Sequence, residues 1–560
     1  MFSRYVATLI FFASATALQF SSGVGKNGIT ATDIRFKDVT SSSGIRFQHF
    51  NAASPEKHII ETLGSGCAWI DYDADGLLDA FFVNGGPTPS VRRVVTPRHA
   101  LFRNLGNGAF QDITKAAGIQ GDGTYGMGAA IADYNNDGYP EVFLSGYPHS
   151  LFYHNNGDGT FNEVGRKAGL RHDGKFASSA GWFDYDRDGD LDLLVLNYLN
   201  WSYEQNTYCA PKPGYRAYCN PQNFHGASPT LYRNEGDGTF KDITREAGLI
   251  NEDGKGLGLV LADFNNDGWT DIFIANDGVR NFYYRNRGDG TFEDLTYVSG
   301  LGYNEDGRAE AGMGTDTCDY DGDGLLDIFV THLDYELNRL YRNLGNHRFE
   351  DYTERAGLSS GLNLFSGFGT RFADIDQDGW PDLIVINGHI LDNIYLFHPQ
   401  VTYAEEGHIY YNRQGSFQNI SKQVGEPLGS RRVGRGLALG DYDNDGDMDL
   451  LISNNGAEGE LLRNDSSRNH WLGLRLLGRQ SNRDAVGTRV TLSYGKNRRV
   501  DQLKGGTSYL SSSDPRLFFG LGSQTKVDQL EIHWPGGAKQ RLENLLADRF
   551  HVIAESSDQR

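Results

Sequence analysis

The sequence predicts an all-β fold, a seven-bladed β-propeller over about residues 33–468 followed by a small β domain over residues 469–560. Three observations predict it. A nine-residue acidic loop recurs seven times, a hairpin-like segment follows the copies, and the charge changes sign near residue 469. The first 468 residues carry 38 Lys/Arg against 64 Asp/Glu, and the remainder 14 against 9.

Composition bounds the rest. Among 560 residues there are 71 glycines and 73 Asp/Glu but only four Met and four Cys. Glycine without a G-X-Y period, mixed with 12% aromatics, indicates many turns between short strands. A net charge of −21 opposes nucleic acid and anionic membranes as partners. The N-terminus, MFSRYVATLIFFASATALQF, has one basic residue, a short apolar run and small-x-small triplets. This is the pattern of a secretory signal peptide over about residues 1–23, with an uncleaved anchor as the competing reading. That run is too short to span a bilayer, and no other stretch qualifies. The expectation is therefore a secreted, extracellular protein (periplasmic if bacterial), with no membrane insertion.

The blades are read from the loops. The copies are DYDADGLLD (Asp71, Asp73, Asp75, Asp79), DYNNDGYPE (Asp133, Asn135, Asp137, Glu141) and DYDRDGDLD (Asp184, Asp186, Asp188, Asp192). Next come DFNNDGWTD (Asp263, Asn265, Asp267, Asp271) and DYDGDGLLD (Asp319, Asp321, Asp323, Asp327). The last two are DIDQDGWPD (Asp374, Asp376, Asp378, Asp382) and DYDNDGDMD (Asp441, Asp443, Asp445, Asp449). Successive copies start 62, 51, 79, 56, 55 and 67 residues apart, a period that marks an array of supersecondary units. Oxygen ligands at positions 1, 3, 5 and 9, with Gly at position 6 for the sharp turn, are what Ca²⁺ takes. Up to seven Ca²⁺ are expected. Metal-free Asx turns are the competing reading.

An EF-hand would place Glu at position 12 between helices. Position 12 here is Phe82, Leu144, Val195, Ile274, Val330, Val385 or Ile452, each inside a β-rich run such as FFVNG or LLVLN. The carboxylates therefore sit in inter-strand loops, which are expected to bind calcium. The segments that follow, for example LFRNLGNGAFQDITKAAGI (101–119) and LYRNEGDGTFKDITREAGL (231–249), read as two strands around a tight turn. Each unit becomes four antiparallel strands, a propeller blade. The seventh unit ends at LLRN (461–464) with no F-x-D-x-T segment, while an orphan FKDVTSSSGI (36–45) precedes the first loop. The N-terminal strand is expected to complete the last blade and so hide both open edges.

These loops, with the strands bearing Gly312-Met313-Gly314 and Gly367-Phe368-Gly369, resemble the VCBS/FG-GAP repeats of integrin α-subunits. The tail segments NRDAVGTRVTL (482–492), GGTSYLSSSDPRLFFGLG (505–522) and VDQLEIHWPGG (527–537) resemble the ASPIC/UnbV domain. Together they resemble the cartilage acidic protein family over nearly the whole chain, without the EGF-like module of some animal members. The resemblance implies an extracellular, calcium-loaded binding or adhesion protein whose ligand is a protein or a glycan of unknown identity.

Four further features complete the reading. Cys209 and Cys219, ten residues apart in an insert, are expected to form a disulfide, and Cys67 and Cys318 to be buried thiols. That insert (198–226) carries seven aromatics, among them Trp201, Tyr203, Tyr208, Tyr215 and Tyr218. A second insert (387–408) carries His389. These residues either contact a ligand or pack over the central channel, and the two readings stand level. Arg287-Gly288-Asp289 occupies the turn that neighbouring units fill with Gly-Asp-Gly, so the repeat already accounts for it. Catalytic motifs such as HExxH, G-x-S-x-G and the Walker loop are absent. A propeller enzyme acting on polysaccharide, with a site assembled on the channel face, stands as the alternative. The basic tail docks either on the acidic propeller or on an acidic glycan.

Overall fold

The computed structural model describes residues 34–91, 98–359, 363–466 and 468–556. The expected signal peptide lies outside the described residues. What is described is all-β, and each of its α-helices is four residues long.

Seven four-stranded antiparallel sheets follow one another along the chain. The second shows the common plan, with strands Tyr125–Ala132, Glu141–Tyr147, Leu151–Asn155 and Phe161–Glu163. The acidic loop joins the first two strands. The second strand is buried throughout, because neighbouring sheets cover both of its faces. The short fourth strand buries only its leading Phe161. In the seventh sheet the fourth place belongs to Phe36–Asp38, which pairs with Glu460–Asn464 in the register Phe36↔Asn464. There the Leu461 amide donates to the Thr40 hydroxyl at 2.8 Å. The F-x-D-x-T segments make the same bond elsewhere, as from the Leu101 amide to Thr114 at 2.9 Å. The orphan N-terminal segment thus supplies what the seventh unit lacks.

The first strands of successive sheets touch one another, and the first strand of the seventh sheet also touches that of the first. Seven asparagines staple the sheets together. Each ends the third strand of its sheet and donates its side-chain amide to the carbonyl of loop position 2 in the preceding sheet. The pairs are Asn155–Tyr72, Asn234–Tyr134, Asn286–Tyr185, Asn343–Phe264, Asn412–Tyr320 and Asn464–Ile375, at 2.8–3.2 Å. Asn104 donates to Tyr442 of the seventh sheet at 2.8 Å.

The strand directions put all seven loops on one face and both aromatic inserts on the other. The C-terminal region forms a three-stranded sheet of His470–Leu477, Leu517–Gly522 and Arg549–Ala554, in which the first and last strands run parallel. A four-stranded sheet of Arg489–Tyr494, Asn497–Gln502, Lys526–His533 and Lys539–Leu546 completes it. Leu474, Val490, Leu492, Leu530, Ile532 and Trp534 are among the side chains of its own core. This unit sits on the loop face, and the structure places its basic residues on the acidic propeller. Arg475 and Arg483 lie 3.6 and 3.5 Å from the Asp71 and Asp133 carboxylates. Arg489 donates to the Gly324 carbonyl at 2.8 Å. Residues 503–516 leave this unit and enter the space between the first strands, where Tyr509 and Leu510 are fully buried.

Candidate metal centres

Each loop is organised by its own backbone before any ion is considered. Position 4 adopts a left-handed conformation in every copy, from Ala74 (φ 56°) to Gly322 (φ 78°), and the glycine at position 6 has φ between 86° and 98°. The latter values lie beyond what a side chain tolerates at low cost, which fixes Gly at position 6. The turn aims the position-6 amide back at the carboxylate of position 1. Those bonds, Gly76–Asp71 through Gly446–Asp441, measure 2.7–3.2 Å.

Position 9 is the most buried ligand candidate. Asp79, Glu141, Asp192, Asp271, Asp327, Asp382 and Asp449 are at most 1% exposed. One oxygen of each accepts the position-2 amide at 3.2–3.4 Å. In six copies the other oxygen accepts the amide of the stapling asparagine, at 2.7–2.9 Å. The second copy departs from this. Glu141 Oε1 instead lies 2.9 Å from Nδ1 of His154.

Several carboxylate oxygens are buried with no donor. They are Oδ1 of Asp73, Asp184, Asp186, Asp319, Asp374 and Asp447. Groups such as Asp184, Asp186 and Asp192, or Asp319, Asp321 and Asp327, bring three ligand atoms within 4.8 Å of one another. Leaving such oxygens dry and unpaired costs about 1–3 kcal/mol apiece, more when they are charged. Burial, reinforced by neighbouring carboxylates, raises their proton affinity. It pushes Asp79 and Glu141 up to about 8 and Asp133, Asp184, Asp319 and Asp441 up to about 7. Asp192, Asp271, Asp327, Asp374, Asp382 and Asp449 are driven well above the usual carboxylate range. An all-oxygen donor set, preorganised, converging and short of protons or donors, fits a hard divalent cation.

The copies are not equivalent. Arg103 reaches Asp73 at 2.7 Å, Arg342 reaches Asp321 at 2.6 Å and Arg468 reaches Asp447 at 2.8 Å, so part of the charge in loops one, five and seven is offset by the chain itself. In loops two and four the Asn135 and Asn265 side-chain amides donate to Asp137 and Asp267, at 2.9 and 2.7 Å. Asp75, Asp188, Asp323, Asp378 and Asp445, together with Asp137 and Asp267, hold position 5. Asp376 and Asp443 hold position 3, each raised to about 7 or about 6 by burial and the adjacent position-5 carboxylate. Asp263 opens the fourth loop, raised to about 6 by burial.

Position 12 (Phe82, Leu144, Val195, Ile274, Val330, Val385 and Ile452) lies on the second strands and is buried throughout. The insert residues are found on the opposite face. Cys209 and Cys219 form the disulfide, and Cys67 and Cys318 are buried free thiols. Trp201, Tyr218 and His389 are buried, Tyr203 is half-buried, and Tyr208 and Tyr215 are exposed. Trp201 packs on Tyr203, Tyr147 and Phe176 at centroid distances of 5.0–5.6 Å. The Tyr218 hydroxyl donates to Glu61 at 2.9 Å, and His389 Nε2 lies 3.0 Å from Asp334. Asp289 of the Arg-Gly-Asp turn accepts the Thr291 amide and hydroxyl at 3.1 and 2.6 Å, as Asp158 does from Thr160 in the second sheet.

Sequence reasoning did not single out the stapling asparagines, although an R-N, H-N or Y-N pair at the end of each third strand carried them. Nor did it place residues 503–516 in the channel, although residues 505–522 had carried part of the resemblance to the ASPIC/UnbV domain.

The family model described as FG-GAP-like repeat matches residues 71–144, 133–195, 223–274, 263–330, 319–385 and 394–452. The model described as ASPIC and UnbV matches residues 478–560. Cartilage acidic protein 1 of Homo sapiens is 28% identical over 338 residues, covering 56% of this chain and 46% of that protein. The Xenopus tropicalis protein of the same name is 25% identical over 442 residues, covering 73% of this chain and 61% of that protein. The chain therefore spans about half of the human relative's length. Among solved structures, an Agrocybe aegerita lectin that recognises non-reducing terminal N-acetylglucosamine aligns with a TM-score of 0.40, at 16% identity over 70% of this chain and 87% of that one. The BP39L lectin of Burkholderia pseudomallei aligns with a TM-score of 0.41, at 11% identity over 72% of this chain and 97% of that one. Among the described residues, no helix is long and apolar enough to cross a membrane.

Proposed function

The chain belongs to the FG-GAP-like repeat proteins that carry an ASPIC and UnbV domain, and from that premise we propose that it is a secreted, calcium-stabilised seven-bladed propeller that binds an extracellular protein or glycan. The observation that carries the calcium reading is the set of buried loop oxygens, such as Oδ1 of Asp184, Asp319 and Asp374, that have no donor. Ca²⁺ would be held by positions 1, 3, 5 and 9 of each loop, and it supplies the positive charge that lets buried carboxylates stay ionised. The protein's own part is to bury position 9, to aim position 1 through the glycine turn, and to staple each loop to the preceding sheet. Seven sheets in mutual contact, with Asn104 bonded to Tyr442, support a closed ring. The Cys209–Cys219 disulfide suits an oxidising, exported setting.

Ligand contact falls to the insert face, where Tyr208, Tyr215, Tyr335 and Tyr395 expose aromatic surface rimmed by polar groups. The rival reading, an enzyme acting on polysaccharide, placed its site on the channel face. That space is occupied by Tyr509, Leu510 and Phe368, so the observations favour a binding module. Calorimetric titration of the chelator-stripped protein with Ca²⁺ tests the first part, and heat absent at millimolar calcium would overturn it. A glycan array read beside a turnover screen tests the second. Capture without product supports the module.

A further inference from the structure

We propose that residues 503–516 form a pin through the propeller, by which metal in the loops on one face holds the insert face in order on the other. This rests on the calcium reading above.

The pin bonds to first strands around the ring, which would otherwise present bare amides and carbonyls to the channel. The Gly505 carbonyl accepts the Trp182 amide at 2.9 Å. Ser508 exchanges both backbone bonds with Thr315, at 2.6 and 3.2 Å. The Leu510 carbonyl accepts from Ala129 at 3.2 Å, and Ser512 bonds to Cys67 and Trp69 at 3.1 and 3.0 Å. The Asp514 amide donates to Leu439 at 2.8 Å, and the Thr507 hydroxyl accepts from Arg371. Two glycines mark how tightly it is threaded. A Cβ at Gly66 would fall 1.8 Å from the Leu510 carbonyl oxygen, and one at Gly505 would fall 1.5 Å from that of Trp182.

The tip reaches the floor of the insert face. The Tyr509 hydroxyl donates to the Leu63 carbonyl at 3.0 Å, and its ring meets Phe368 edge-on at 5.0 Å. Arg435, fully buried, stacks on Phe368 at 3.8 Å. It donates to the carbonyls of Thr62, Gly388 and His389 at 2.7–3.2 Å, and so ties the tip to the segments that carry the inserts. Leu510 shares its apolar cluster with Ile60, Leu63, Tyr198 and Trp201.

The base of the pin stands on the loops. Arg516 donates to the Asp441 carbonyl at 2.8 Å and to Asn444 at 2.6 Å. Asp484 accepts the Asp133 amide at 2.8 Å, Gln502 accepts the Asp263 amide at 3.0 Å, and Arg489 donates to the Gly324 carbonyl. These footholds are largely backbone groups of the acidic turns. The backbone bonds of each turn set their positions, and mutual repulsion of the carboxylates opposes that conformation when the cation leaves. Removing the metal weakens the grip on the base, and the tip loses its register under the inserts.

Hydrogen exchange on the full chain, in calcium and in excess EGTA, tests this. EGTA is expected to speed exchange at insert-face amides such as Tyr198 and Asn200 by on the order of tenfold, a local opening made about 1.4 kcal/mol cheaper. In Gly505→Val, which cannot seat the pin, those amides exchange fast in both conditions while calcium still raises the melting temperature. Tyr509→Phe keeps the ring and loses only the bond to Leu63, and it gives an intermediate rise. It decides the matter should the first variant fail to fold. If EGTA lowers the melting temperature but leaves the insert amides of the wild type unchanged, the pin proposal is overturned and the calcium reading stands. If the melting temperature ignores EGTA, both fall.

Discussion

On the loop face, Asp79, Asp192, Asp327 and Asp382 are buried acids whose carboxyls are pushed far up by desolvation. On the insert face, the buried titratable groups include the histidines His99, His172, His332 and His408, all pushed down to about 4 by burial. His172 is satisfied as a neutral ring, between the Tyr232 hydroxyl at 2.7 Å and Asn197 at 2.6 Å. The loop acids, by contrast, converge in groups and leave oxygens without donors. One architecture therefore holds two kinds of buried charge. On the insert face His172 is answered within the chain, and on the loop face we propose that a cation answers the unpaired oxygens.

Chelation should break the symmetry most strongly. Each occupied loop with a dissociation constant of about 10⁻⁴–10⁻³ M gains roughly 1.4–2.7 kcal/mol at about 10 mM calcium, and seven loops add up. The melting temperature should drop steeply in EGTA at pH 8, and less at pH 5. The sign follows from the raised folded-state values. Between about 4 and 8 the metal-free folded state binds more protons than the unfolded chain, so its stability falls as pH rises through that window. An equal calcium increment at both pH values would contradict this.

Acid should expose the other face. His332 sits at about 4 when folded against 6.5 for a free imidazole, so the unfolded chain binds the extra proton in that window and stability is lost as pH falls from 6.5 to 4. The loss is about 3 kcal/mol for such a group. Urea midpoints of wild type and His332→Gln at pH 6.5 and 4.5 measure it. A variant that loses as much as the wild type would remove the histidine from the account.

Asp382→Asn keeps an acceptor for the Asn412 amide but drops the charge. It should leave the metal-free protein as stable or more so, and cut the calcium increment by about one loop's share, roughly 1.4–2.7 kcal/mol. Asn412→Ala, which strands the Tyr320 and Pro381 carbonyls, should cost about 1–3 kcal/mol whether or not calcium is present. Calorimetry of the pair separates ligand from staple. Tyr208→Ala, at an exposed site, should change stability by less than about 0.5 kcal/mol and show its effect only in capture on a glycan array.

Much of this was legible in the sequence because it is periodic. The loops, the apolar position 12 of Val195 and its siblings, and the orphan Phe36–Asp38 strand are all local patterns repeated until chance is excluded. The disulfide was legible because Cys209 and Cys219 are close in sequence within one insert. The aromatic inserts were ambiguous because composition cannot tell a buried Trp201 from an exposed Tyr208. Their separation depends on which rings meet Phe176 and Tyr147 across the chain.

The sequence by itself determined the repeat, the turn chemistry and the candidate ligands, since glycine at position 6 and carboxylates at 1, 3, 5 and 9 act within nine residues. Only the tertiary structure decided where the basic C-terminal unit goes and what fills the channel. Arg516 meets Asp441, and Tyr509 meets Leu63, across sequence separations of 75 and 446 residues. Such contacts exist only once the sheets have brought their first strands against one another. No local pattern encodes a partner that distant.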